Sequence, residues 1–235
     1  MVRSELVKKS PLRILEKSLS GGQRKGNIAV LASRKGVGKT ACLVHIATDK
    51  LLQGNRVLHV SFAGRTDHII SWYENVFSEL AKKRNLESAM SVHEEIIKNR
   101  VIMNFTQDGV GIDQVLSSLR AMIVEGQFSA NLLIVDGYDL AKSEPDDLDK
   151  LRSFALDVGL EIWLSVSLKG EDPLFDEKGI PFVLRDILDK ISYLITLQPE
   201  ERKIKLRLVK DSASLPNEDL NLMLDARTFL IAEED

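Results

Sequence analysis

Ser33-Arg34-Lys35-Gly36-Val37-Gly38-Lys39-Thr40 separates the apolar run Ile28-Ala29-Val30-Leu31-Ala32 from Ala41-Cys42-Leu43-Val44-His45-Ile46-Ala47. The order is strand, glycine-rich turn, Lys-Thr, helix, which is the layout of a phosphate-binding loop. Glycines let successive backbone N–H groups turn inward around a polyphosphate, and the following helix adds the positive end of its dipole. In that geometry Lys39 reaches the β- and γ-phosphates and the Thr40 hydroxyl holds Mg²⁺. Ser33, Arg34, Lys35, Gly36, Val37, Gly38, Lys39, Thr40 and Ala41 are therefore the candidate nucleotide-binding residues. One position departs from the usual G-x-x-x-x-G-K-[ST] pattern: Ser33 stands where the first glycine belongs.

A phosphate loop needs a partner for its magnesium. Leu132-Leu133-Ile134-Val135-Asp136 is a buried-strand pattern ending in an acid, the form that delivers a carboxylate to the magnesium's water shell. Ligands bind at the C-terminal edge of a parallel sheet, so Asp136 is expected beside Lys39 and Thr40, with Thr40 and Asp136 as the metal-side residues. Turnover also needs a group that orients the attacking water. After the second strand the chain reads Ser61-Phe62-Ala63-Gly64-Arg65-Thr66-Asp67, with no Glu before Glu74, so Asp67 is the one acid near enough. That separates nucleotide binding from efficient hydrolysis.

Outward from the loop, short β-branched runs alternate with helical patterns. This predicts an α/β fold: a mostly parallel twisted sheet with helices on both faces. Strands are expected at Ile28–Ala32, Arg56–Phe62, Val101–Phe105, Asn131–Asp136 and Leu160–Val166. Helices are expected at Lys39–Leu52, His68–Lys83, Ser91–Asn99, Ile112–Glu125 and from Pro145, at its N1 position, to Val158. Ile191–Leu197 and Lys203–Val209 read as a C-terminal antiparallel hairpin, and Phe229–Ile231 as one more strand. Residues 1–18 are a helical lead-in and 19–235 one nucleotide-binding domain.

The composition narrows the classes. The chain has 235 residues, 44% hydrophobic, with a net charge of −3, enough for one sizeable core and without a general attraction to nucleic acid or anionic membrane. Cys42 is the only cysteine, so no internal disulfide forms, which suits a cytoplasmic protein. No apolar run reaches spanning length, residues 1–17 lack the apolar segment of a secretory signal, and the four histidines show no metal-ligand spacing.

Gly21-Gly22-Gln23-Arg24-Lys25-Gly26, the strand and Gly36-Val37-Gly38-Lys39-Thr40 together resemble the opening of RecA-fold ATPases of the KaiC/RadA/DnaB-helicase type. The resemblance covers roughly residues 18–232 and implies a RecA-like nucleotide-binding domain with ATP and Mg²⁺ as cofactors. It also implies assembly into a homo-oligomer or with a protein partner. The segment Leu206-Arg207-Leu208-Val209-Lys210-Asp211 resembles the family hairpin that carries a Lys to a neighbouring subunit's γ-phosphate, which makes Lys210 a catalytic candidate with Lys39, Asp136 and Asp67. In recombinases a polar residue at the end of strand five senses the γ-phosphate, the place of Ser165 or Ser167. Ser33, the missing Glu and the Asp211-Ser212 that follows Lys210 all depart from the pattern, and each weakens hydrolysis more than binding.

Three readings stay open. One is a KaiC-like ATPase with slow hydrolysis. Another is a regulatory or scaffold protein that binds nucleotide without turnover. The third is a deviant-loop ATPase of the ParA/MinD type, whose signature Lys aligns with Arg34. A DNA-handling role is disfavoured. Residues 141–150 carry Lys142 and Lys150 against Glu144, Asp146, Asp147 and Asp149, and residues 169–179 carry Lys169 and Lys178 against Glu171, Asp172, Asp176 and Glu177. Both loops repel phosphates. Lys82-Lys83-Arg84 reads as a solvated helix end.

Overall fold

The computed structural model describes residues 6–20, 22, 24–62, 65–83, 89–106, 109–140, 143–144, 146–200 and 203–234. Gly21 and Gln23 of the glycine lead-in, Ala63, Gly64, Arg84, Ala141, Lys142 and the expected N1 residue Pro145 lie outside them.

Nine strands form a single sheet in the order β3-β2-β4-β5-β1-β6-β7-β8-β9. They are β1 (Ile28–Arg34), β2 (Val57–Ser61), β3 (Arg100–Asn104), β4 (Leu132–Asp136), β5 (Glu161–Leu168), β6 (Tyr193–Pro199), β7 (Ile204–Asp211), β8 (Glu218–Leu224) and β9 (Ile231–Glu233). β3 to β6 in that spatial order are parallel, and β6 to β9 are antiparallel. The expected mostly parallel α/β sheet with a C-terminal hairpin is therefore present.

Between the strands lie α1 (Leu12–Ser18), α2 (Lys39–Leu52), α3 (Thr66–Lys83), α4 (Ala89–Lys98), α5 (Ile112–Arg120) and α6 (Asp147–Val158), with a 3-10 helix at Phe182–Lys190. The continuous apolar strands are explained by cover on both sides. Ala29 and Leu31 face a core shared with α1 to α4 and the leucines of β7 and β8. Ile28, Val30 and Ala32 face a second core with α5, α6 and the 3-10 helix. α2 is buried at every position but Thr40 and Lys50, which makes it a central helix rather than an amphipathic surface one.

Two expectations are refined and one strand is added. The expected helix over Ile112–Glu125 is α-helical only to Arg120 and closes in a π turn over Ala121–Glu125. The expected last strand at Phe229–Ile231 begins two residues later, because Phe229 has a left-handed backbone (φ 55) and closes a turn onto the Asp225 carbonyl. β8 has no counterpart in the sequence reading.

The N-terminal lead-in is docked. Leu12, Leu15 and Leu19 are buried, and Arg13 is hydrogen-bonded to Asp49 of α2. Among the described residues no helix is long and apolar enough to cross a membrane.

Candidate functional site

Because β1, β2 and β4 run parallel, their C-terminal ends share one edge of the sheet, where the register places Ser61 beside Asp136. The chain leaves β1 at Arg34, turns through residues 35–38 and enters α2. Gly36 (φ 84) and Gly38 (φ 113) hold left-handed backbone that side chains resist. The two differ in surroundings. A Cβ on Gly36 meets nothing within 4 Å, whereas one on Gly38 falls 2.3 Å from Leu224 Cδ2. The loop is thus open on the Gly36 side and closed by β8 at Gly38.

Lys39 is the first residue of α2 and 6% exposed. Its Nζ donates to the Ser33 carbonyl (3.1 Å), the Ser33 hydroxyl (3.3 Å) and the Arg34 carbonyl (2.9 Å). The ammonium therefore lies across the concave side of the loop. Burial lowers its pKa, opposed by the charge of Asp136. Cys42 sits one turn further, fully buried, its thiol pushed up to about 12 by desolvation, so it is inert core rather than a nucleophile.

Thr40 Oγ1 donates to Asp136 Oδ2 at 2.8 Å. This bond joins the helix of the glycine loop to the acid at the end of β4, two strands away in the sheet. The strand between them, β5, supplies a residue whose role the sequence did not reveal. Ser165, 2% exposed, donates to Asp136 Oδ1 at 2.5 Å and accepts from Gly137 N–H at 2.9 Å. Its hydroxyl is committed on both sides, so it holds the carboxylate instead of facing a γ-phosphate. The register pairing Val135 with Leu164 sets the two side by side.

The structure thus brings Ser33, the Arg34 carbonyl, Lys39, Thr40 and Asp136 together. Ala41 is buried behind them, Val37 packs against the core, and Lys35 is exposed. The Arg34 side chain turns away from the loop. It donates to the Gly170 carbonyl (2.9 Å) and pairs with Asp172 (3.0 Å) on the segment after β5. That segment is fastened again by Lys169 to Asp139 at 2.9 Å.

Two candidates are not brought in. Asp67, at the start of α3, is solvent-facing and held by Arg65 through bonds of 3.1 and 2.5 Å; this contact keeps its carboxyl below the usual range. Lys210 pairs with Leu194, toward the edge opposite the loop. It is 8% exposed, and its ammonium donates to the Leu188 (2.6 Å) and Ile191 (2.5 Å) carbonyls at the end of the 3-10 helix.

Among the described residues no group of three or more His, Cys, Asp or Glu gathers as a metal cage. No protein-family model matches the chain, and no curated protein matches it.

Proposed function

We propose that this chain is a RecA-like P-loop protein that binds ATP with Mg²⁺ and holds it more readily than it hydrolyses it. The observation that carries the reading is the Thr40–Asp136 bond of 2.8 Å beside the buried Lys39 ammonium. A hydroxyl and a carboxylate from separate elements meet at the mouth of a glycine turn, with a cation lying across it.

The residues fit the group. The open space beside Gly36 leaves room for a phosphate against the loop N–H groups. Lys39 offers an ammonium already inside the loop, and a phosphate oxygen needs only to replace the long Ser33 hydroxyl contact of 3.3 Å. Thr40 and Asp136 supply the two oxygens on the metal side. Mg²⁺ characteristically takes one or two carboxylates and completes its shell with water and substrate phosphates, so no larger cage is required. Bound there, the ion would neutralise phosphate charge; the chain's own part is to hold the loop, Thr40 and Asp136 in place.

A specific observation favours weak turnover. Asp67, the sole candidate to orient water, is engaged by Arg65. This supports a regulatory or scaffold role in which nucleotide state sets affinity for a partner or a second copy. The proposal does not draw on Lys210. It also sets aside the ParA/MinD reading, since Arg34, aligned with that family's signature Lys, is turned to Gly170 and Asp172.

Equilibrium binding of MgATP to wild type and Lys39→Ala tests the assignment. Loss of a charge-assisted contact predicts about 10–100-fold weaker binding in the variant. Equal affinities would remove Lys39 from the site.

A further inference from the structure

β3 is an outer strand of the sheet and pairs on one side only, with β2. Its hydrogen bonds fix which residues face outward. The Asn99 carbonyl accepts from Val57 N–H, and Phe105 N–H donates to the Ser61 carbonyl, both at 2.9 Å. With Val57 in register with Arg100, the main chain of Val101 and Met103 turns toward β2, and that of Arg100, Ile102 and Asn104 turns away from the sheet. Those three outward residues have no main-chain partner among the described residues.

Charge, proline and bulges are what ordinarily keep a strand edge from pairing. β9, at the far end of the sheet, is only three residues long and closes on Glu233. β3 has five residues, no proline and an unbroken register, and its one charge is withdrawn. The Arg100 guanidinium lies 4.2 Å from the centre of the Tyr73 ring and 4.0 Å from Glu74. That side chain is 7% exposed while the residue as a whole is half-buried, so part of what solvent reaches at Arg100 is main chain. α4, which leads into β3, adds apolar surface: Met90 and Ile97 are exposed and two helical turns apart.

We propose that β3 is the interface of a homodimer, pairing antiparallel with the same strand of a second copy about a two-fold axis at Ile102. The residues of the edge select this partner. Setting Ile102 against the partner's Ile102 places Arg100 opposite the partner's Asn104 and Val101 opposite the partner's Met103. It is the two-fold register that uses all three outward residues, each hydrogen-bonded pair exchanging two bonds. No like charges meet across it, and apolar side chains face apolar ones. The contact is self-complementary and closed, since it consumes the β3 edge of both copies. Because the strands run antiparallel, the two phosphate-loop edges point in opposite directions. The proposal therefore stands apart from the nucleotide reading, and its test uses no nucleotide.

The test is sedimentation velocity of the intact protein from about 1 to about 100 µM. Wild type is expected to shift with concentration from the 26.3 kDa chain to twice that mass. Asn104→Pro removes an outward N–H that the single copy does not use, so it is expected to keep its circular dichroism and stay monomeric. Should it not fold, Asn104→Glu and Asn104→Lys carry the test, since residue 104 is exposed. Opposite the partner's Arg100, Asn104→Glu is expected to tighten the dimer and Asn104→Lys to loosen it, their dissociation constants differing about fivefold or more. Amide exchange reads the register: the N–H groups of Ile102 and Asn104 are expected to slow as concentration rises, and those of Val101 and Met103 to be slow throughout. A monomer at every concentration would overturn the proposal and leave the edge to an extended segment of another protein. A dimer unchanged by Asn104→Pro, or equally stable with Asn104→Glu and Asn104→Lys, would overturn it too.

Discussion

Ser165→Ala removes one oxygen from the interior and breaks two hydrogen bonds. The bond to Asp136 Oδ1 at 2.5 Å is charge-assisted, worth ~1.5–3 kcal/mol, and the bond from Gly137 N–H at 2.9 Å adds about 1 kcal/mol. Ser165 is 2% exposed, so water does not easily replace either partner. The expected loss of stability is about 3 kcal/mol, which for a chain of this size lowers the melting temperature by ~6–12 °C. Urea unfolding at neutral pH, followed by circular dichroism, reads the first number and thermal unfolding the second. A double-mutant cycle with Asp136→Asn isolates the contact, with a coupling of about 1.5 kcal/mol or more. A loss below about 0.5 kcal/mol, the level of an ordinary surface substitution, would refute the reasoning, as would additivity in the cycle.

The loop glycines should respond unequally. Gly36→Ala meets only backbone strain, about 1–2 kcal/mol, whereas Gly38→Ala adds a Cβ 2.3 Å from Leu224 Cδ2 and should cost more in the same unfolding assay. His59 is fully buried and desolvation lowers its pKa to about 4. The unfolded state therefore takes up a proton near pH 6.5 that the folded state resists, so this contribution is whole above about pH 6.5 and is lost as pH falls toward 4; His59→Leu should flatten the decline of urea midpoint over that window. Asp67→Ala should leave single-turnover ATP hydrolysis unchanged, because Arg65 already occupies the carboxylate; a clear fall in rate would restore Asp67 as a catalytic group. Lys210→Met should destabilise the fold by about 2 kcal/mol, measured by urea, since it leaves two carbonyls without their donor.

What could be read from the sequence were the features with local causes. β1, the glycine turn and α2 announce themselves because an apolar run, two glycines and a Lys-Thr pair occupy consecutive positions. Asp136 was legible because a strand buried on both faces must be apolar up to the residue that leaves the sheet. The helix ending at Gly159 was legible because its left-handed φ of 79 needs glycine. The features that stayed hidden depend on distant chain. β8 alternates Leu220, Leu222 and Leu224 inward, but it is short, has left-handed backbone at Asn221 (φ 53), and takes its place only by pairing with β7 and β9. Lys210 looks like an exposed cation in an alternating hairpin, and only the carbonyls of the 3-10 helix reveal it as a buried brace. Ser165 is one polar residue in an apolar strand until the β4–β5 register sets it against Asp136. The docking of α1 rests on Arg13 and Asp49, which are 36 residues apart.

In the proposed function, Lys39, Thr40 and Asp136 act as one site for nucleotide and metal. Calorimetric titration of ATP into wild type and Asp136→Asn, each with excess Mg²⁺ and with chelator, tests it directly. Wild type is expected to bind saturably and about tenfold more weakly when Mg²⁺ is removed, and the variant to bind more weakly with no dependence on the metal. Saturable binding that is equally tight with and without Mg²⁺ in wild type, or no binding at all, would contradict it.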